Sequence, residues 1–207
     1  MNQNVATSAP FLVFTDLDGS LMDHESYSIE AARPALMALS RRGVTPIFAS
    51  SKTAVEILAA QHASGITAPF ICENGAAVYD SSGQILTAFG LPRTSWLHAV
   101  HQLRKRLSLR FTGFSDWPAE KIAELTGLSR ADAGKAQRRE FTEPMLWQDT
   151  QFNFQLFQSE IQRLSLTTLE GGRFISIQSQ FDKGKAMKWL QARQRQPRPF
   201  LIALGDS

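Results

Sequence analysis

The sequence predicts an α/β protein, a Rossmann-like doubly wound parallel sheet with an α+β module inserted into it. Three observations carry this. Phe11 to Gly75 alternates apolar strand, helix, strand, helix, strand. From Ala76 the pattern turns to a hairpin followed by mixed segments, with no repeat and no low-complexity stretch. The alternation then returns with one helix and one apolar strand before Ser207. The expected division is 1–80 and 181–207 for the core and 81–180 for the insert.

In chain order, Phe11–Phe14 is a four-residue apolar run that fits a buried strand and closes at Thr15. Asp16, Asp18 and Gly19 make the turn after it, and Met22–Ser28 reads as a polar loop. Ile29–Arg42 has helical spacing and stops at Gly43, with Pro34 setting its start near Ala32. Val44–Ala49 is a second buried strand ending in Ser50-Ser51-Lys52. A helix from Thr53 to Ala63 follows, with Val55, Ile57 and Leu58 inward, and Gly65 ends it. Pro69–Cys72 is a third strand, followed by Glu73-Asn74-Gly75, and Ala76–Phe89 is a hairpin turning at Ser81-Ser82-Gly83. The insert continues with helices at Trp96–Leu107, Pro118–Leu125 (started from Ser115 or Asp116) and from Ser129 through Gln137. Met145–Trp147, Phe152–Phe157, Leu164–Leu169 and Phe174–Ser179 read as strand-like. Asp182–Lys185 leads into a helix over Ala186–Arg195, packed through Met187, Trp189 and Leu190. Pro197–Pro199 breaks it, and Phe200–Leu204 reads as a strand buried on both faces.

At 207 residues, 43% hydrophobic and 20% charged, the chain has the composition of a globular protein with a sizeable core. A net charge of +3 gives no reason to expect a nucleic-acid partner, and Arg104–Arg106 and Arg193–Arg198 read as solvated helix faces. The lone Cys72 excludes an internal disulfide and suits a reducing compartment. Met1–Pro10 lacks the apolar region of a secretory signal, and no apolar run reaches the roughly 20 residues that span a bilayer. The expectation is a cytoplasmic protein with a frayed N-terminus and no membrane partner. Nothing in the sequence specifies an oligomeric state.

Three of the apolar strands end in short polar runs, Thr15–Asp18, Ser50–Lys52 and Gly205–Ser207. If these strands are parallel, the runs meet on one sheet edge, where ligands of open α/β sheets bind. That edge would hold Asp16, Asp18 and Asp206, the Ser50 hydroxyl and Lys183 from a helix start. Carboxylates suit magnesium, while hydroxyl, lysine and backbone N–H groups suit phosphate. One carboxylate could form an aspartyl-phosphate while the other handles protons. Blander readings stand beside these. Asp-x-Asp-Gly is also an ordinary polar turn, Ser50 suits a helix cap, and Lys185 competes with Lys183 for the phosphate. Arg173 follows two glycines as a turn residue would, and Glu140 and Glu143 suit surface charge.

Asp16-Leu17-Asp18-Gly19-Ser20, Ser50, Lys183 and Gly205-Asp206 match, in order, the four motifs of the haloacid dehalogenase-like phosphatases, which the chain resembles. The alternating core around an α+β insert is similar to the Cof-type branch. Within that branch the chain resembles the mannosyl-3-phosphoglycerate phosphatases. The matching stretches are Ser51–Thr53, Glu73–Ala76, Arg138–Pro144, Gly171–Phe174 and Asp182–Ala186. The resemblance implies a magnesium-dependent phosphatase of a small phosphosugar. It makes Asp16 the nucleophile and Asp18 the acid and then the base. Magnesium would be held by Asp16, the backbone carbonyl of Asp18, and Asp206, and the phosphoryl group by Ser50 and Lys183. Glu73, Asn74 and Gly75, and from the insert Arg139, Glu140, Gly171, Gly172 and Arg173, would bind substrate; an Arg fork suits its glycerate carboxylate. In the family the last motif continues with a further Asp and more core structure. A chain ending at Ser207 is therefore expected to be a fragment or impaired, of low solubility or stability and weak as a phosphatase.

Overall fold

The computed structural model describes residues 11–22, 28–194 and 199–205. The expectations placed on Met1–Pro10, on residues 23–27 of the loop, on Pro197 and on Asp206 lie outside the described residues.

The chain forms two compact units, Met1–Phe89 with Phe181–Ser207, and Gly90–Gln180. In the first, β1 (Phe11–Thr15) is followed by a short 3-10 turn at Glu30–Ala32 and by α1 (Arg33–Arg41), with Pro34 in its first turn. β2 (Ile47–Phe48) is shorter than the apolar run that predicts it, and its pairing continues through a single bridge from Ala49 to Ile71. α2 (Ala54–Ser64) starts from a reciprocal cap: Thr53 Oγ1 accepts from Glu56 N–H, and Glu56 accepts from Thr53 N–H. It buries Ala54, Ile57, Ala60 and Gln61, whereas Val55 and Leu58 are only half-buried. β3 (Phe70–Cys72), β4 (Ala77–Tyr79) and β5 (Ile85–Ala88) pair antiparallel in that order. Because β5 pairs with β4, the first boundary falls at Phe89/Gly90 rather than at 80/81.

The second unit opens with α3 (Arg93–Arg106) and β6 (Phe111–Gly113), a strand that the sequence reading passes over. Then come α4 (Ala119–Thr126), capped by no side chain, and α5 (Arg130–Ala136), capped by Ser129. β7 (Glu143–Trp147) precedes α6 (Gln151–Gln162). The strand-like reading of Phe152–Phe157 is corrected here: Thr150 caps a helix, and Phe154, Phe157 and Ile161 recur at helical spacing on its buried side. Phe152, which completes the misleading alternation, is 74% exposed. β8 (Leu166–Gly171) and β9 (Phe174–Ser179) finish an antiparallel sheet of order β6-β7-β9-β8. Trp96, Val100 and Leu103 of α3 and Phe154, Phe157 and Ile161 of α6 share a core with Phe111, Met145, Leu166 and Ile177. Each large side chain buried there contributes about 1.5–3 kcal/mol.

The chain returns to the first unit with α7 (Lys183–Ala192), which begins three residues before its sequence-based start because Asp182 caps it, and with β10 (Phe200–Leu204). β10, β1 and β2 form a parallel sheet in that order. Leu12 and Phe14 share a core with Ile47, Ile71, Ala186 and Leu190, so α7 covers one face of β1. The burial expected on both faces of β10 is not observed: four of its five residues are exposed. Among the described residues it pairs with β1 alone, as the outer strand of its sheet. Parallel register carries the C-terminal ends of β1, β2 and β10 to one edge, and the Ala49–Ile71 bridge brings the end of β3 to the same place. That edge positions the site.

Candidate active site

Asp16 is the first residue past β1. Its N–H donates to Leu204 O at 2.9 Å, and its Oδ1 accepts from Leu17 N–H at 2.7 Å. The carboxylate is thereby tethered on one side, and its Oδ2 is ion-paired with Lys183 Nζ. The Asp16 side chain is 14% exposed. Leu17, fully buried, anchors the turn from below, and its carbonyl accepts from both Leu21 and Met22 N–H. Gly19 supplies the left-handed residue (φ +68°) that this tight reversal needs. Asp18 Oδ1 is buried and lies 2.8 Å from Lys52 Nζ. Each aspartate therefore has its own lysine.

Ser50 is fully buried at the end of β2. It does not cap α2, a role held by Thr53; its Oγ instead accepts from Lys52 N–H at 3.4 Å. The Glu73-Asn74-Gly75 turn grips this segment from the end of β3. Glu73 N–H donates to Lys52 O at 2.9 Å, and Asn74 N–H to Ser50 O at 3.0 Å. Glu73 and Asn74 both adopt positive φ (45° and 62°), and Glu73 is 1% exposed. Non-glycine residues rarely adopt such angles, so this turn is held by its surroundings. The two lysines of Asp182–Lys185 separate: Lys183 faces Asp16, and Lys185 lies over the Phe89 ring at 5.3 Å.

The remaining candidates belong to the second unit. Arg139 donates to Ala136 O at 3.2 Å and to Thr142 Oγ1 at 3.3 Å, and its guanidinium lies 5.8 Å from the Phe114 ring. Glu140 is exposed, and its carbonyl accepts from Arg93 N–H. Gly171 ends β8, Gly172 (φ +55°) makes the turn to β9, and Arg173 donates to Leu125 O. Phe114 joins the two motif segments, because its ring meets that of Phe174 edge-on at 5.2 Å while the other motif's Arg139 lies over it. Glu143 is not surface charge. It is 2% exposed, pairs with Arg93 at 2.7 Å, and accepts from both Ser115 N–H and Ser115 Oγ.

Sequence reading assigned no role to Lys52. The available signal was its place two residues past Ser50, on the edge where the other polar runs converge. Among the described residues, no group of three or more His, Cys, Asp or Glu side chains is arranged to hold a metal. None of the described helices is long and apolar enough to cross a membrane.

The end of the parallel sheet thus gathers Asp-x-Asp, a buried serine and a lysine facing the first aspartate, groups able to act as nucleophile, acid or base and anion ligand. The sequence profile of the haloacid dehalogenase-like hydrolases matches residues 13–158, and the chain belongs to that family. Solved structures share the fold at low sequence identity. Thermoplasma acidophilum 0175 is 19% identical with a TM-score of 0.67, over 94% of this chain and 76% of that one. A haloacid dehalogenase-like hydrolase from Bacteroides thetaiotaomicron is 17% identical with a TM-score of 0.68, over 94% and 81%. BT1666 from the same organism, described among the phosphatases of the haloalkanoate superfamily, is 14% identical with a TM-score of 0.66, over 100% and 82%.

Proposed function

We propose that this chain is a magnesium-dependent phosphatase that releases phosphate from mannosyl-3-phosphoglycerate through an aspartyl-phosphate on Asp16. The observation that carries the reaction type is the double pairing of Asp16 with Lys183 and of Asp18 with Lys52 on one sheet edge. In the first step an Asp16 carboxylate oxygen attacks phosphorus, the bond from phosphorus to the ester oxygen breaks, and that oxygen takes a proton from Asp18. In the second step water attacks the phosphorus of the aspartyl-phosphate and gives a proton to Asp18. The bond to Asp16 breaks, and inorganic phosphate leaves. Lys183, at the start of α7, holds Asp16 in line and then faces the transferring oxygens.

Charge supports a divalent cation. Asp16 and Asp18 with Lys183 and Lys52 sum to zero, or to +1 when Asp18 carries the proton it donates, so a phosphate monoester, with a charge of about −1.5 to −2, leaves these groups net anionic in either state. The Asp16 carboxylate, the Asp18 backbone carbonyl and Asp206 would hold magnesium through the hard oxygen donors it prefers. Bound there, the ion would neutralise charge on the phosphoryl oxygens. The choice of substrate rests on the resemblance carried by Arg138–Pro144 and Gly171–Phe174.

Phosphate release from a panel containing mannosyl-3-phosphoglycerate, other phosphosugars and p-nitrophenyl phosphate, with magnesium and with chelator, tests this reading. The expected result is magnesium-dependent release with preference for mannosyl-3-phosphoglycerate. A preference for another phosphosugar would keep the reaction and change the substrate. Release that ignores chelator would remove the metal from the account.

A further inference from the structure

We propose that Lys52 is a positioning residue that holds the proton-handling carboxylate of Asp18, and that its largest effect falls on hydrolysis of the phosphoenzyme. This deepens the phosphatase reading and rests on it. Lys52 Nζ lies 2.8 Å from Asp18 Oδ1, with the lysine side chain 13% exposed and that of Asp18 37% exposed. The lysine is thus the better fixed of the two and is able to orient the carboxylate. Its backbone is held on both sides: its N–H reaches Ser50 Oγ, and its carbonyl accepts from Glu73 N–H at 2.9 Å. The next residue, Thr53, is locked into the α2 cap. The strained Glu73-Asn74 turn therefore sets where Lys52 starts, and Lys52 sets where Asp18 points. Lys183 is committed to Asp16, so the two lysines are not interchangeable.

The two half-reactions need Asp18 to different degrees. A nitrophenolate leaves without a proton, so formation of the aspartyl-phosphate from p-nitrophenyl phosphate tolerates a misplaced acid. Its hydrolysis does not, because the attacking water must always give up a proton. With that substrate, Lys52→Gln is expected to lower kcat by about 10²-fold, at the low end of what a positioned acid or base contributes. KM should fall together with kcat, so that kcat/KM changes little, and rapid quench should show more phosphoenzyme at steady state than in the wild type. Lys52→Arg, which keeps the cation, should recover part of the loss. A raised KM with unchanged kcat and no added phosphoenzyme would overturn the proposal and make Lys52 a substrate ligand. So would an unaltered Lys52→Gln beside an active wild type. Melting temperatures of Lys52→Gln, Asp18→Asn and the double variant supply a readout independent of turnover. Non-additive shifts are expected, and additive ones would remove the contact. A wild type that turns over no phosphate ester would sink the phosphatase reading and take the catalytic role of Lys52 with it.

Discussion

Gly75 and Lys183 meet backbone to backbone. A Cβ placed on Gly75 would lie 2.6 Å from the amide nitrogen of Lys183 and nearer still to the Asp182 carbonyl, and Gly75 has φ +100°. The turn after β3 is thus the seat on which α7 starts, and α7 carries the lysine that faces Asp16. Gly75, expected from resemblance to touch substrate, has in this fold a packing reason to be glycine.

Gly75→Ala should therefore cost stability and activity together. Strain at such a backbone position is about 1–3 kcal/mol, and the backbone of Asp182 and Lys183 cannot yield as a flexible side chain would. Misplacing Lys183 by even 1 Å should lower kcat by about 10²-fold. Thermal melts and steady-state kinetics check both. Unchanged kcat in a destabilised variant would separate the seat from the lysine.

Glu143 offers a test confined to the second unit. Glu143→Ala leaves Arg93, whose side chain is 17% exposed, without its buried partner and strips both donors of Ser115 of their acceptor. Breaking such a pair typically costs about 3–5 kcal/mol. Denaturant unfolding should show a loss in that range, and a loss under 1 kcal/mol, the usual size for an exposed pair, would return Glu143 to the surface.

Much of the first unit was legible because local and tertiary preferences agree in it. The four-residue apolar run of β1, the αL glycine at Gly65 and the turn at Ser81–Gly83 each name their own structure, although the cap of α2 is Thr53 rather than Ser50. Phe152–Phe157 misled because its alternate phenylalanines mimic a strand; the choice was made by burial of Phe157 together with Thr150 and Ile161, which the short window excluded. β6 was missed because three residues ending in glycine carry almost no periodic signal. At the site, spacing pointed to Asp16, Asp18, Ser50 and Lys183. The pairing of Lys52 with Asp18 is a contact across strands, and no local pattern encodes it. Gly75 was visible as part of a motif, but its reason lies in the chain some hundred residues later.

Acid should weaken the hairpin of β4 and β5. Asp80 Oδ1 accepts from Ser82 Oγ, Ser82 N–H and Gln84 N–H, at 2.6, 2.8 and 2.9 Å. The Ser82 hydroxyl, against the opposing effect of burial, and then the backbone N–H groups hold the Asp80 carboxyl below the usual range. A carboxylate whose folded pKa is depressed contributes stability above its unfolded pKa of about 4 and loses it as pH falls through the lower folded value. Asp80→Ala should cost about 1 kcal/mol at neutral pH, the usual size of such hydrogen bonds. The deficit should shrink as the pH drops below about 4. Melts from pH 7 down to pH 3 check this, and a deficit constant across that range would exclude the ionised turn.

Phosphorylation of Asp16 is the step on which the proposed mechanism turns. The most direct measurement is acid quench during turnover of a phosphate ester, followed by peptide mass spectrometry. The peptide containing Asp16 should carry one phosphoryl group, labile to base and hydroxylamine, and Asp16→Asn should lose both the adduct and at least about 10³-fold in turnover. Steady release of phosphate with no adduct on that peptide, or near-normal turnover in Asp16→Asn, would contradict the account.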